Sequence, residues 1–303
     1  MSPPQPPASE PAPGAAPRPT PAEPGAEPDR PGSVRRLAES LHAPLWQEAK
    51  ALTQRREILR HELWKNPPLD ARGLPVLLVG GMGSTARVLS PLQDLMLRYN
   101  CRCLVAPVKL GIGCGEATTR SVEQALLRLV HATDEPAVII AHSRGGQFSR
   151  AVTVRRPDVV RGLITLGSPL NRLLAVHPLL RAEVTVLGLA GYLGMPGLLR
   201  PGCLWGRCCA DLRRDIAGPF PAEVPFLSLY SRDDKVVDWR SCLDPAARLR
   251  HVSATHGGLL WSPVSLRAIT EELASIVRMA YDGDIGPHAV PDLPAAPDDG
   301  LAA

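Results

Sequence analysis

The sequence predicts an α/β fold: a mostly parallel sheet covered by helices on both faces, with a helical cap inserted late in the chain. Three observations lead there. From residue 74 onward, short and continuously apolar runs alternate with segments of helical periodicity. Strands that are apolar on both faces need cover on both faces, and that is the property of parallel sheets. Gly, Asp and Ser clusters close these runs as turns do. Between about 171 and 221 the alternation stops, and an insertion of that size without sheet rhythm is expected to lie over the strand ends.

The elements follow in chain order. Residues 1–33 are almost entirely Pro, Ala, Gly, Glu and Ser, with no Leu, Ile, Val or aromatic side chain. Such a segment buries too little to offset its ordering entropy and reads as a disordered or polyproline-like tail. Residues 34–68 read as helices in two pieces. Val34, Leu37 and Leu41 share a face before Pro44, and Leu45, Ala49, Leu52, Leu59 and Leu63 share another before Asn66–Pro68. The main domain spans about 73–280. In it LPVLLVGG is a strand, Ala86–Tyr99 a helix, CRCLVAPV a strand and Arg120–Ala132 a helix. AVIIA (Ala137–Ala141) precedes the helix Gln147–Arg155, VRGLITLGSP follows, and after the cap come the strands VPFLSLYS and RLRHVSA and a last helix near Ser262. Residues 282–303 resemble the first tail.

Composition bounds the function. The net charge of +4 is modest, the Arg pairs are scattered, and aromatic residues make up 4% of the chain, so no nucleic-acid surface is expected. The most apolar run, Val184–Leu199, is broken by Gly and by Pro196 and falls short of a membrane span. No secretory signal is visible, so a cytoplasmic location is expected, with peripheral membrane association left open. The seven cysteines include Cys203, Cys208 and Cys209, whose C-x4-C-C spacing could hold a disulfide, with Cys242 as a further partner, or a metal. Paired C-x2-C or His-containing spacings are missing, so neither a metal nor any other cofactor is expected. Oligomeric state is not readable.

The candidate chemistry centres on VIIAHSRGGQF, where a strand runs into a Ser-Gly turn. A structural turn needs no more than that. The alternative is a nucleophile elbow, G-x-S-x-G, read here as A-H-S-R-G with Ser143 at its centre and the small residues Ala141 and Gly145 two positions away on each side. A serine nucleophile needs a base and a group that orients the base. Downstream, the loop after VPFLSLYS offers Asp233, Asp234 and Asp238. The loop after RLRHVSA offers His256, whereas His251 falls within the strand. Ser, Asp and His thus each follow a predicted strand, in that chain order, where open parallel sheets carry their sites. An oxyanion would be met by the N–H of Arg144, after the serine, and by a second N–H from the loop VGGMGS, for which Met82 is the choice.

LLVGGMGS, AHSRGG, RGLITLGSP, PFLSLYSRDDKVV and ATHGGLLW together resemble the α/β-hydrolase superfamily, and within it lipase- and esterase-like serine hydrolases. The resemblance implies Ser143 as nucleophile, Asp234 as the acid because it directly precedes K-V-V, His256 as base, and Met82 and Arg144 as oxyanion donors. Gly80 stands where many members carry a His that is not part of the triad. The implied activity is hydrolysis of a small-molecule carboxylic ester. Leu173, Leu174, Val176, Leu179, Leu180, Val184, Val186, Leu187, Leu189 and Leu193 in the cap suggest a lipid-like acyl group, or only packing of the cap onto the sheet. An acyltransferase with the same triad, and a non-catalytic binding protein on this scaffold, are the alternatives.

Overall fold

A computed structural model describes residues 61–171 and 206–283, with isolated positions at 189, 193, 198, 202 and 203 between them. The tail 1–33, most of the helical stretch 34–68, most of the cap and the end of the chain from 284 lie outside the described residues.

Six strands form one parallel sheet in the order β2-β1-β3-β4-β5-β6. They are β1 (Pro75–Val79), β2 (Arg102–Val105), β3 (Ala137–His142), β4 (Val160–Leu166), β5 (Phe226–Tyr230) and β6 (Arg248–His251). The helices are α1 (Glu62–Lys65), α2 (Ala86–Arg98), α3 (Gly115–Thr133), α4 (Gly145–Arg155), α5 (Ala210–Ala217) and α6 (Pro263–Val277). Every residue of β1 and β3 is buried, as continuous apolar runs require of strands covered on both faces.

Side chains alternate across the pleat, so one apolar run feeds two cores. Val76, Leu78, Val138, Ile140, Ile164 and Leu166 pack with α2 and α6. Leu77, Val79, Ile139, Ala141 and Leu163 pack with α3 and α4 on the other face. Truncating one of these, such as Leu77 or Ile139, to Ala is expected to cost about 2–5 kcal/mol. The short α1 adds Leu63 and Trp64 to the first core and ends at Asn66, before the Pro pair.

Several boundaries differ by a few residues from the sequence reading, two of them instructively. Helix α3 starts at Gly115 rather than Arg120 because Thr118 and Thr119 sit in its first turns, their hydroxyls donating back to the carbonyls of Cys114 (3.0 Å) and Gly115 (2.9 Å). Apolar periodicity does not register such polar turns. Strand β6 stops at His251 rather than Ala254, although the Val252 N–H still bonds the Tyr230 carbonyl at 2.9 Å. Helix α6 starts where expected, with the Ser262 hydroxyl accepting from the Ser265 N–H.

A buried ionic network fixes α5 against α4. Arg150 in α4 pairs with Asp244 at 2.6 Å and donates to the carbonyls of Asp215 (2.7 Å) and Gly218 (3.0 Å). Arg155, one helical face further along, bonds Glu116 of α3 and Asp215 of α5. Three helices on one side of the sheet are thereby held by two arginines.

Candidate active site

Ser143 follows β3, a central strand, directly and has φ +56°, in the left-handed region that a non-glycine residue enters at a cost of about 1–2 kcal/mol. The turn is held by the Ser143 N–H donating to the Leu166 carbonyl (2.9 Å) and the Gly146 N–H donating to the Ser143 carbonyl (3.0 Å). Helix α4 leaves at once, from Gly145. A Cβ on Gly145 would stand 2.6 Å from the Val79 carbonyl oxygen and 2.7 Å from that of Gly80, so this position has no room for a side chain. Ala141, in the place of the motif's first glycine, is fully buried between the neighbouring strands. The arrangement is a strand–turn–helix with the serine at its apex, the geometry of a nucleophile elbow.

Of the three aspartates after β5, one meets a histidine. Asp234 Oδ2 lies 2.7 Å from His256 Nδ1, and both side chains are nearly buried. The other carboxylate oxygen, Oδ1, accepts the N–H groups of Val236 (2.8 Å) and Val237 (2.9 Å), which fixes the plane of the carboxylate. Asp238 instead caps a short turn by accepting from the Arg240 N–H. His251 is exposed at the end of β6 with its ring beside Tyr230. The Ser231 hydroxyl accepts from the N–H groups of both Asp233 (3.1 Å) and Ala254 (3.2 Å), tying the aspartate loop to the histidine loop.

The loop after β1 lies against the serine. A Cβ on Gly81 would fall 2.6 Å from Ser143 Cβ and 3.0 Å from Ser143 Oγ, so Gly81 is in contact with the serine and Met82 follows it. The Gly83 N–H is anchored to the Leu110 carbonyl at 2.7 Å. The Arg144 side chain is tied down separately: Nη1 donates to the Gly111 carbonyl at 2.5 Å and the guanidinium lies over the Phe148 ring. Its backbone is therefore fixed from both ends, by the elbow and by its own side chain.

One residue of the site escaped the sequence reading. His142, beside the serine, is buried, with its Nε2 3.0 Å from the His256 carbonyl oxygen and the two rings 4.6 Å apart. The carbonyl can only accept, so Nε2 carries the hydrogen. Burial, and then the neighbouring His256, push its pKa down to about 3. His142 thus links the elbow physically to the histidine loop. Its only sequence signal was its place beside Ser143.

The disulfide considered for Cys203, Cys208, Cys209 and Cys242 is not formed among the described residues. Cys242 is buried beside β5, where its carbonyl accepts from the Ser228 hydroxyl at 2.8 Å. Of the apolar cap residues, Leu189 and Leu193 fall within the described set and both are exposed; the others lie outside it. No described helix is long and apolar enough to cross a membrane.

No protein-family model and no curated protein sequence matches the chain. Solved structures do. Lipase B of Aspergillus fumigatus aligns over 67% of this chain and 53% of its own at 18% identity, with a TM-score of 0.50. The mature form of the Bacillus licheniformis lipase BlEst2 aligns over 68% of this chain and 94% of its own at 13% identity, with a TM-score of 0.51. The chain therefore spans about half the length of the Aspergillus lipase and nearly all of the Bacillus one. With its open parallel sheet, its serine elbow and these two lipases as structural neighbours, the chain has the α/β-hydrolase fold.

Proposed function

We propose that the protein is a serine hydrolase of carboxylic esters, with Ser143 as nucleophile, His256 as general base and Asp234 as the group that orients the base. The observation that carries this reading is the Asp234–His256 pair, 2.7 Å apart at the strand ends, on the same sheet edge as a serine held at φ +56°. Asp234 accepts from His256 Nδ1, leaving Nε2 to take the hydroxyl proton of Ser143 as Oγ attacks the ester carbonyl. The electron pair displaced onto the carbonyl oxygen is met by the backbone N–H groups of Met82 and Arg144. Collapse expels the alcohol, which receives the proton from His256. Water, deprotonated by the same imidazole, then releases the acid from the acyl-enzyme. His142, neutral and bonded to the His256 carbonyl, keeps the histidine loop in place without adding a competing charge.

The preferred substrate is taken to be a lipophilic ester. The apolar composition of residues 173–193 supports this, as do lipases among the structural neighbours. The test is intact-mass labelling by a fluorophosphonate, followed by a chain-length series of p-nitrophenyl esters. One adduct on the wild type, absent from Ser143→Ala and His256→Ala, is expected, together with turnover that rises with acyl length. A folded wild type that takes no adduct defeats the hydrolase reading. Activity on acetyl esters alone defeats the lipophilic one.

A further inference from the structure

Beyond the strand-end site, the sulfur atoms of Cys114, Cys203, Cys208 and Cys209 all lie within 4.8 Å of one another. Cys114 and Cys209 are 3.5 Å apart, and Cys208 and Cys209 3.7 Å. We propose that these four side chains form a structural tetrathiolate metal site that takes zinc. This inference does not depend on the hydrolase reading.

Count and spacing are those of the ion. Tetrahedral zinc with Zn–S bonds of about 2.3 Å holds its sulfurs ~3.8 Å apart, so the closest pairs already have that separation and the widest must close by only about 1 Å. The donors come from separate parts of the chain. Cys114 caps α3, Cys208 and Cys209 lead into α5, and Cys203 stands just before them. C-x4-C-C by itself lacks a ligand, and the fold supplies it from far upstream.

A cation lies beside the cluster. A Cβ on Gly115 would stand 3.7 Å from both the Cys209 sulfur and Arg144 Nη2, so the guanidinium and the cluster flank the same point. The Arg144 guanidinium interacts electrostatically with Cys209, Cys203 and Cys114 while its Nη1 is anchored on Gly111. A fixed cation is thus placed beside a centre that, with four thiolates and one divalent ion, would carry a net charge of −2. Such outer partners orient and stabilise metal ligands. An all-sulfur donor set favours zinc over magnesium or calcium. Loading involves no electron transfer: four thiols give four protons to solvent as four S–Zn bonds form.

A disulfide explains less. Adjacent Cα atoms across a trans peptide are about 3.8 Å apart, below the usual disulfide range, which disfavours a Cys208–Cys209 bond. A Cys114–Cys209 bond would leave two convergent sulfurs without a role. The other three cysteines, Cys101, Cys103 and Cys242, are buried or nearly so and stand outside this cluster of sulfurs.

The experiment measures metal directly. Full-length chain, purified under reducing conditions, is analysed for zinc by mass spectrometry, then stripped and reloaded with zinc sulfate or cobalt(II) chloride. About one zinc per chain is expected, and cobalt should give the sulfur-to-metal charge-transfer bands and intense visible bands of a tetrahedral thiolate site. Cys114→Ser and Cys208→Ser should each weaken zinc binding by at least about tenfold, with Cys242→Ser binding as wild type does. Cys208 is exposed, so its variant stays informative if Cys114→Ser fails to fold. Reduced wild type that takes up neither ion overturns the proposal, and so do variants that bind zinc as tightly as wild type.

Discussion

The two sides of the Ser143 turn are built in different ways. On one side, Asp234 and His256 sit on loops after β5 and β6, strands adjacent both in the chain and in the sheet. On the other, beyond Arg144, the four cysteines come from the start of α3 and from the segment that leads into α5, and no strand order relates them. The first side is assembled by the sheet itself. The second depends on helices held together by side chains, chiefly Arg150 and Arg155. It follows that damage to the first side should act on turnover and damage to the second on stability.

The largest effect expected is at the strand ends. Ser143→Ala and Asp234→Asn should each lower ester turnover on the order of 10⁴-fold, with urea midpoints close to wild type. Turnover kinetics beside denaturation curves read both quantities, and a large stability loss in Asp234→Asn would blur the distinction between the sides. Next comes Arg150→Ala, which strands the buried Asp244 and removes three contacts of the helix side. A loss of about 3–5 kcal/mol is expected by urea unfolding. Asp158→Ala, which breaks the exposed pair with Arg156, should cost less than about 1 kcal/mol in the same assay. If the two variants unfold alike, the network is not what holds α5.

Gly81→Ala tests the close approach of the first loop to the serine. Its Cβ would force the serine or the loop to move, and a loss of about 10²-fold in turnover with an unchanged unfolding midpoint is expected. His142 gives a pH test. Its folded pKa, about 3, lies below its unfolded value of ~6.5, so between these the unfolded chain binds a proton that the native one does not. Stability should therefore fall as pH falls below about 6.5, by up to about 1.4 kcal/mol per unit, and His142→Gln should remove that slope. Equal slopes in acid denaturation of the two proteins would contradict the buried neutral ring. A small gain is expected for Ser143→Gly, which relieves the left-handed turn and should gain about 1 kcal/mol over Ser143→Ala in urea unfolding.

The strands were legible in the sequence because a parallel sheet writes itself as continuous apolar runs, and the strand ends then mark the candidate site; their order in the sheet was not. Ser143 and His256 could be chosen on those grounds, and Asp234 only through the resemblance, since Asp233 and Asp238 stood in the same loop. The choice among them depends on which carboxylate the chain turns toward His256, and backbone bonds from Val236 and Val237 settle that direction. His142 was overlooked because its role lies in a contact with the His256 carbonyl more than a hundred positions away. The early start of α3 was missed because threonines that bond back to the helix carry no apolar period.

What the sequence determined by itself was the alternation of strand and helix, the place of the serine turn and the positions at strand ends, all of which follow from local periodicity and turn chemistry. What only the tertiary structure decided was which side chains meet: Asp234 with His256, His142 beneath them, Arg150 across to Asp244, and Cys114 with Cys203, Cys208 and Cys209. Periodicity is a property of neighbours along the chain, whereas these contacts join residues whose separation is closed by packing two helical layers onto a twisted sheet.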